Sequence, residues 1–402
     1  MRQVPKLWIG VDIGNTHHHI AAIDTTGRVR YSRRVANDES VLLEVIADVT
    51  ELGRPVCWAV DLTTPLSALL LTLLWQRHYT VRYVSGTVAH HMAAAFAGEH
   101  KTDARDAVII AQTVRLRCDI PQLKSSGRLL ADLKVLTAHR ADLIGQRVAA
   151  ICRLQETLTA ISPALQHAVD LKRRGPLLAL AQWQTPAAIR HAGPDTITAL
   201  LHRAGIPNAA VLADTLHAAA CRQTVRMPGE RAAALVVRHL TADILALAHR
   251  TADIDEQIAQ LIGEHPLAGY IRSLPGMGPV LTAELLVHTN GMTEYDSPAK
   301  LAAHAGLAPV TRDSGAVSGN HHSPRRYHRV LRNVFWMSAY TSLRTCPASR
   351  TYYDRKRAEG KHHYQALIAL ARRRVDVLWA LTRDHQTFDP TSIPTTARAT
   401  AT

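Results

Sequence analysis

Four aspartates lie at points where one predicted element gives way to the next. Asp12 ends the apolar run "LWIGVD", and Asp61 directly follows the apolar run "VCWAV". Asp103 and Asp106 stand three residues apart in "KTDARDAVIIAQ", so a helix would place them on one face. Mg²⁺ and Mn²⁺ prefer oxygen ligands such as carboxylates, and two such ions about 4 Å apart can support phosphodiester chemistry. The four side chains therefore predict a divalent-metal site.

Three of these aspartates also have an ordinary structural role open to them. Asp61 could cap the helix that follows "LTTP", Asp103 could cap its own helix, and Asp106 could pair with a nearby basic residue. Asp12 is the hardest to assign in this way, because a buried strand seldom ends in an unpaired acid. Spacing alone leaves the metal site and the structural roles as open alternatives.

The turn after Asp12 offers a second kind of chemistry. "DIGNT" is an Asp-x-Gly-x-Thr turn, which could hold a nucleotide phosphate as in actin-like ATPases, whereas a ribonuclease-H-like nuclease would use Asp12 as a metal ligand. An actin-like ATPase needs a second Asp-x-Gly loop, and "VDLTTP" has the aspartate without the glycine. The metal strand is therefore favoured. The run His17–His19 is interpreted as strand-surface residues, with His18 on the opposite face from His17 and His19.

The elements that must position the aspartates alternate between strands and helices. Apolar alternation on both sides of the Gly14-Asn15 turn predicts a β-hairpin over residues 7–24, and "RVRYSRRV" predicts a third strand. A helix over Glu39–Leu52, the strand "VCWAV", the helix "PLSALLLTLLWQR" and the strand "TVRYV" follow. This order predicts an α/β domain with a mixed sheet, followed by a mostly helical remainder that begins with "TDARDAVIIAQTVRL".

Two later stretches, Ile151–Ile161 and Val237–Leu261, have apolar residues spaced alternately by three and four. This spacing predicts coiled-coil pairing of helices, and for the shorter stretch an amphipathic helix packed on its own domain is an equal alternative. The predicted domains are residues 1–128 (catalytic α/β domain), 129–265 (long paired helices with an inserted helical segment at about 172–230), 266–385 (helical) and 386–402 (disordered tail).

The charge balance indicates a polyanionic partner. The chain has 47 Lys and Arg against 33 Asp and Glu, a formal net charge of +14, which favours nucleic acid over a membrane. The apolar run Leu66–Trp75 is too short to span a bilayer, and no signal peptide is expected. Five scattered cysteines without a Cys-x-x-Cys pair argue against a zinc site and disulfides. A cytoplasmic protein is predicted.

The C-terminal part holds candidate phosphate contacts. Gly276 and Gly278 in "LPGMGP" precede a predicted helix N-terminus, an arrangement that can bind phosphate or can simply form a tight helical turn. Basic runs follow, and each could instead be a solvated helix face. Their candidate contacts are Arg312, Arg325, Arg326, Arg329 and Arg332.

Several motifs, taken in this order, resemble those of the DEDD transposases of bacterial insertion sequences, a family of serine-bearing, bridge-RNA-guided recombinases. The motifs are "GVDIG", "GEHKTDARDAVIIA", "LPGMGPVLTAELL" and "AGLAPVTRDSG", while "NVFWMSA" resembles the actinobacterial branch. The resemblance covers nearly the whole chain except the segment at about 172–230 and the tail.

The resemblance implies a RuvC-like N-terminal domain in which the four aspartates Asp12, Asp61, Asp103 and Asp106 bind metal. Asp61 stands where the family usually has glutamate. Ser314 would be the nucleophile that attacks a DNA phosphate, although on spacing alone Ser318 is a rival. The resemblance also implies a homo-oligomer, a dimer or tetramer, paired through the heptad helices, and a structured guide RNA that selects donor and target DNA.

The sequence thus predicts a metal-dependent transposase that moves its own insertion sequence. Two alternatives stay open. A RuvC-like junction-resolving endonuclease would hydrolyse DNA with water and would not need Ser314. A catalytically inactive nucleic-acid-binding relative would keep the basic surface and tolerate loss of the aspartates.

Overall fold

The computed structural model describes residues 6–96, 102–125, 127–311 and 321–390. The chain forms two compact units, residues 1–125 and 126–402. Three residues named above, Arg312, Ser314 and Ser318, lie outside the described residues, as does the predicted tail beyond residue 390.

The first unit is built around a five-stranded mixed sheet, as predicted. Its elements are β1 (Leu7–Asp12), β2 (His17–Asp24), β3 (Val29–Ala36), α1 (Glu39–Glu51), β4 (Val56–Val60), a 3₁₀ turn (Pro65–Ser67), α2 (Ala68–Gln76), β5 (Thr80–Tyr83), α3 (Gly86–Ala93) and α4 (Asp103–Leu116). The strand order is β3-β2-β1-β4-β5. The β1–β2 and β2–β3 pairs are antiparallel, and the β1–β4 and β4–β5 pairs are parallel. The sequence predictions of the hairpin, the third strand and the strand–helix alternation are confirmed.

Both faces of this sheet are covered, and period-2 alternation decides which residue faces which layer. Ile9 and Val11 of β1 belong to the apolar cluster that includes the buried residues of α1 and α2. Trp8 instead packs in the cluster that holds Ile110 of α4. Gly10 lies on that second face, where a Cβ would stand 2.0 Å from the carbonyl oxygen of Ala107. Helix α4 therefore crosses β1 in direct backbone contact at this glycine.

The histidine run does not lie wholly on the strand surface. His17 and His19 are half-buried on one face, as expected, but His18 is 1% exposed. His18 shares its face with Ile20, which packs against α1 and α2. The interpretation as a surface residue is therefore wrong for His18, because this strand has a helical layer on each side. Burial lowers the pKa of His18 below its usual value.

The second unit is almost entirely helical. Its elements are α5 (Arg128–Ile161), α6 (Pro163–Ala168), α7 (Arg174–Gln182), α8 (Pro186–Arg203), α9 (Ala209–Cys221), α10 (Glu230–Ile262), α11 (Ala268–Ser273), α12 (Pro279–His288), α13 (Pro298–His304), β6 (Val310–Thr311), β7 (His321–His322), α14 (Arg329–Thr345), α15 (Pro347–Ala358) and α16 (His363–Asp384). Strands β6 and β7 form a short antiparallel pair.

The two heptad stretches lie on the two longest helices, α5 and α10, which pack on each other within the chain. Leu154 of α5 shares a core with Ile244 of α10, and towards the other ends Leu133 shares a core with Ile258. The helices therefore run antiparallel. The predicted helix pairing occurs inside one chain, and pairing between protomers stays a prediction.

The inserted helices form the first of two cores along this pair. Helices α7, α8 and α9 bury residues such as Leu180, Ile197 and Leu216 against the C-terminal half of α5 and the N-terminal half of α10. Helices α11 to α16 pack around the opposite ends of the pair. Within the described part of the chain, α10 alone has the length and apolar composition of a membrane span. This is weak evidence for a membrane, because a core helix has the same properties.

Candidate functional site

Asp12 and Asp61 stand side by side at the carboxyl ends of neighbouring parallel strands. Val11 and Val60 are partners in the β1–β4 register, so the aspartates are the next residues along the two strands, whose backbones lie about 4.8 Å apart. By alternation, Asp12 belongs to the same face as Gly10, the face that α4 covers. The backbone register thus places the ends of the two strands side by side, and convergence of all four carboxylates stays a prediction.

Helix α4 brings the other two aspartates to the same end of the sheet. Ala107 contacts Gly10, so Asp106 and Asp103 lie within one helical turn before that contact. Burial lowers the pKa of His19 and the negative charge of Asp103 opposes that shift; His19 is the register partner of Asp12. The charge of Asp106 in turn acts on Asp61.

The electrostatics of Asp61 disfavour its ionised form. Burial raises the pKa of this carboxyl, and the nearby negative charge of Asp106 raises it further. The backbone N–H of Ile13 donates to Asp61 Oδ1 at 3.4 Å and opposes this shift. A cation bound between two such carboxyls would favour their ionised forms and lower their pKa values.

The structural roles that the sequence left open do not account for these aspartates. Thr102, not Asp103, caps α4, because its hydroxyl accepts from the backbone N–H of Arg105 at 3.2 Å. Thr64 precedes the 3₁₀ turn as its cap residue, so Asp61 does not cap it. Among the described residues, Asp106 forms no ion pair with a basic side chain.

The donor set fits a hard cation in type, but the side chains do not converge into a closed cage. Within the described ranges, no group of three or more His, Cys, Asp or Glu side chains is close enough to hold a metal ion. At the carboxyl ends of the strands the fold provides one electrostatically linked pair, Asp61 with Asp106. Asp103 acts on His19, which is the register partner of Asp12. Carboxylate and water are the ligands that Mg²⁺ and Mn²⁺ take.

His19 is a residue at this edge that the sequence analysis did not single out as functional. Its Nε2 lies 2.9 Å from the Ser32 hydroxyl. Burial lowers the pKa of His19, while Asp103 raises it. The signal that could have found it is the hairpin register, because a two-strand pairing that ends at Asp12 places His19 directly opposite.

The glycine turn in the second unit serves a close approach between helices. Gly276 has φ of +87°, and a Cβ there would lie 2.5 Å from the Ser338 carbonyl oxygen on α14. Arg374 is buried beside this turn and donates to the Pro275 carbonyl and the Ser338 hydroxyl. Burial lowers its pKa to about 10. Gly276 thus approaches α14, whereas Gly278, at the N-terminus of α12, has open space around it, and phosphate binding there stays a prediction.

The predicted basic contacts divide into two kinds. Arg325, Arg326 and Arg329 are exposed. Arg332 is half-buried and engaged, because it donates to the Gly306 carbonyl at 2.9 Å and to the Tyr364 hydroxyl at 3.0 Å. Its guanidinium carbon also lies 4.4 Å from the centre of the Tyr327 ring. Arg332 therefore holds part of the second unit together.

Comparison with known proteins accounts for both units. Residues 9–163 match the model of the DEDD transposases of IS110, described as a transposase, and residues 268–354 match a model described as the transposase IS116/IS110/IS902 family. The 44.8 kDa protein of insertion element IS116 from Streptomyces clavuligerus is 44% identical over 96% of this chain and 96% of its own. The 42 kDa protein of insertion element IS900 from Mycobacterium paratuberculosis is 44% identical over 98% of this chain and 99% of its own.

A shorter part of the chain is similar to a protein named for gene inversion. A pilin gene-inverting protein from Moraxella lacunata is 32% identical over 143 residues, 34% of this chain and 44% of its own. These matches define a DNA-transposing enzyme. The chain belongs to the IS116/IS110/IS902 family of insertion-element transposases.

Proposed function

We propose that this transposase is a RuvC-like, metal-dependent recombinase that cuts and rejoins the ends of its own insertion element. The observation that carries the proposal is the in-register placement of Asp12 and Asp61 next to the start of α4. That helix start contributes the other two carboxylates, Asp103 and Asp106. The strand order, with Asp12 at the end of the central strand, supports the RuvC-like assignment.

Asp12, Asp61, Asp103 and Asp106 would hold Mg²⁺ or Mn²⁺. When bound, such ions stabilise the attacking and leaving oxygens of phosphodiester transfer. The protein itself supplies the strand register and the helix contact at Gly10 that position the elements carrying these carboxylates.

The nucleophile in this proposal is Ser314, which rests on the motif "APVTRDSG". The Ser314 oxygen would lose its proton and bond to phosphorus, while the bond from phosphorus to one deoxyribose oxygen breaks and that oxygen takes up a proton. The resulting phosphoserine ester conserves the phosphodiester bond energy. The strand can therefore be rejoined without ATP, as recombination requires and hydrolysis does not.

The proposed partners are DNA at the element ends and target, a structured guide RNA, and further copies of the same chain in a dimer or tetramer. The net charge of +14 supports nucleic-acid binding in a bacterial cytoplasm. The Moraxella relative is named for the inversion of a pilin gene. Inversion of a gene requires that strands be cut and rejoined, and this supports recombination over simple cleavage.

The proposal is tested by replacing the carboxylates one at a time. Asp12→Asn, Asp61→Asn and Asp106→Asn keep side-chain shape and remove charge, so each should lose Mn²⁺ binding in calorimetry and Mg²⁺-dependent cleavage of labelled element-end DNA. Asp48→Asn is the matched control, since Asp48 is a half-buried aspartate of the same unit, 3.8 Å from Arg33 and on none of the elements that carry the four aspartates.

A wild-type chain that binds no Mn²⁺, or an Asp12→Asn variant that cleaves like the wild type, would remove the metal site. Cleavage retained by Ser314→Ala, with free ends and no covalent adduct, would instead favour the junction-resolving endonuclease that uses water.

A further inference from the structure

A groove of about 590 Å³ lies in the second unit between residues 306–309, residues 322–324, α15 and α16. None of its described lining residues is Asp or Glu. Its charged and aromatic lining residues are Arg332, Lys356, Lys361, Arg372, Tyr352 and Tyr364. A groove with four cations and two tyrosines has the composition of a nucleic-acid site rather than of a pocket for an apolar ligand.

Carboxylates neutralise only part of this charge. Lys356 pairs with Glu359 at 2.7 Å, and Arg372 pairs with Asp376 at 2.5 Å. Both carboxylates stand outside the lining. The described acceptors of the Arg332 guanidinium are neutral, the Gly306 carbonyl and the Tyr364 hydroxyl. The groove therefore keeps a net positive charge.

The two tyrosines are held in place by cations. Tyr364 is 53% exposed, and the hydrogen bond from Arg332 to its hydroxyl restrains the ring. The cationic groups of Arg355, Lys356 and Arg373 lie 5.0 to 5.6 Å from the centre of the Tyr352 ring. A restrained, exposed ring loses little conformational freedom when a flat ligand stacks on it.

These features favour unpaired nucleotides over a duplex. Single-strand-binding proteins combine a basic groove for the backbone with aromatic rings on which bases stack. In a duplex the base faces are covered by neighbouring bases, so they are not available to a tyrosine ring. Pro309 and His322 on the groove wall also lie within five and eight residues of Ser314 along the sequence.

We propose that this groove binds an unpaired stretch of DNA or RNA, with a base stacked on Tyr364 and its backbone phosphates on Lys361 and Arg332. The inference rests on the proposed function and deepens it by assigning single-stranded nucleic acid to a defined surface. The exposed arginines Arg325, Arg326 and Arg329 remain available for duplex phosphates.

The test measures binding of the full chain to labelled single-stranded DNA and RNA of about 12 nucleotides, and to a duplex of the same sequence, by fluorescence anisotropy. Tyr364→Leu removes the π-face and keeps an apolar side chain. It should weaken single-strand binding at least about fivefold, since stacking contributes about 1–3 kcal/mol per base, and leave duplex binding unchanged. The probe, DNA or RNA, that binds the wild type more tightly and loses more affinity with Tyr364→Leu identifies the nucleic acid that the groove binds.

Two further variants separate stacking from a structural effect. Tyr364→Phe breaks the hydrogen bond with Arg332 but keeps the ring, so single-strand binding should persist. Tyr340→Leu is the matched control, because Tyr340 is 47% exposed on α14 and does not line the groove. Lys361→Gln should reduce the salt dependence of single-strand binding by about 0.7 log unit per log unit of salt.

Equal losses for Tyr364→Leu and Tyr364→Phe, equal losses for single strand and duplex, or no loss with Tyr364→Leu would each overturn the groove assignment. These outcomes are distinct from failure of the proposed function. Tyr364-dependent single-strand binding without metal-dependent cleavage would support the groove assignment and refute the recombinase. Metal-dependent cleavage without Tyr364-dependent single-strand binding would support the recombinase and refute the groove assignment.

Discussion

Gly10→Ala should disable the proposed metal site of Asp12, Asp61, Asp103 and Asp106 without changing any of these carboxylates. A Cβ at residue 10 would stand 2.0 Å from the Ala107 carbonyl oxygen and 2.5 Å from the Ala111 nitrogen, whereas ordinary contact begins at 3.4 Å. Both atoms are backbone, so no side chain can move aside, and α4 would have to shift away from β1 by about 1.4 Å. Overpacking of this kind costs about 1–3 kcal/mol of stability. A misplacement of about 1 Å at a catalytic group can cost about 100-fold in rate.

Urea denaturation and Mg²⁺-dependent cleavage of element-end DNA measure the two effects in the same preparation. The matched control is Gly86→Ala, a substitution in the same unit where a Cβ would meet nothing within 4 Å. That variant should retain both stability and cleavage. If Gly10→Ala unfolded at the wild-type urea concentration and cleaved at the wild-type rate, α4 would not be seated on β1 as described, and the placement of Asp103 and Asp106 would be wrong.

Three further predictions concern charge. Burial and the neighbouring His328 lower the pKa of His288 to about 4, whereas His288 in the unfolded chain takes up a proton near pH 6.5. Stability that is present above pH 6.5 should therefore be lost as the pH falls towards 4. His288→Phe should reduce this loss, measured as the fall in urea midpoint, and an unchanged fall would contradict the prediction. Burial raises the pKa of Glu284, so the folded state loses stability relative to the unfolded chain as the pH rises above about 4.5. Glu284→Gln should therefore raise the urea midpoint more at about pH 8 than at about pH 5. Equal increases in urea midpoint at the two pH values would refute this. Duplex DNA binding should lose about 0.9 log unit of affinity per log unit of salt for each phosphate neutralised, whereas a flat response would mean that the charge of +14 is not used for binding.

The sequence predicted the sheet well because its signals are local. Alternating apolar residues on both sides of the Gly14-Asn15 turn specify the hairpin, and a carboxylate directly after each of two apolar runs specifies strand ends. The placement of Asp12 and Asp61 on adjacent strand ends follows once β1 and β4 are neighbours in parallel register. The heptad spacing likewise predicted helix pairing, but spacing cannot distinguish a partner helix in the same chain from one in another.

What the sequence could not supply depends on contacts between distant residues. The proximity of Asp103 to His19 requires both the hairpin register and the seat of α4 at Gly10. The burial of His18 requires a helical layer on each face of β2. The hydrogen bonds of Arg332 to Gly306 and Tyr364 require α14 and α16 to be packed together. The residues next to Arg332 in the sequence do not indicate these contacts.

The proposed function requires that strands be exchanged through a covalent link to Ser314 that depends on Asp12, Asp61, Asp103 and Asp106. The most direct measurement is mass spectrometry of the peptide that contains Ser314, after the full chain has reacted with element-end DNA, RNA and Mg²⁺ and the products have been separated on a denaturing gel. We expect a nucleotide adduct on Ser314 that is absent from Asp12→Asn and Ser314→Ala and is retained by Ser318→Ala. An adduct on Ser318, or strand breaks with free ends and no adduct in the wild type, would contradict it.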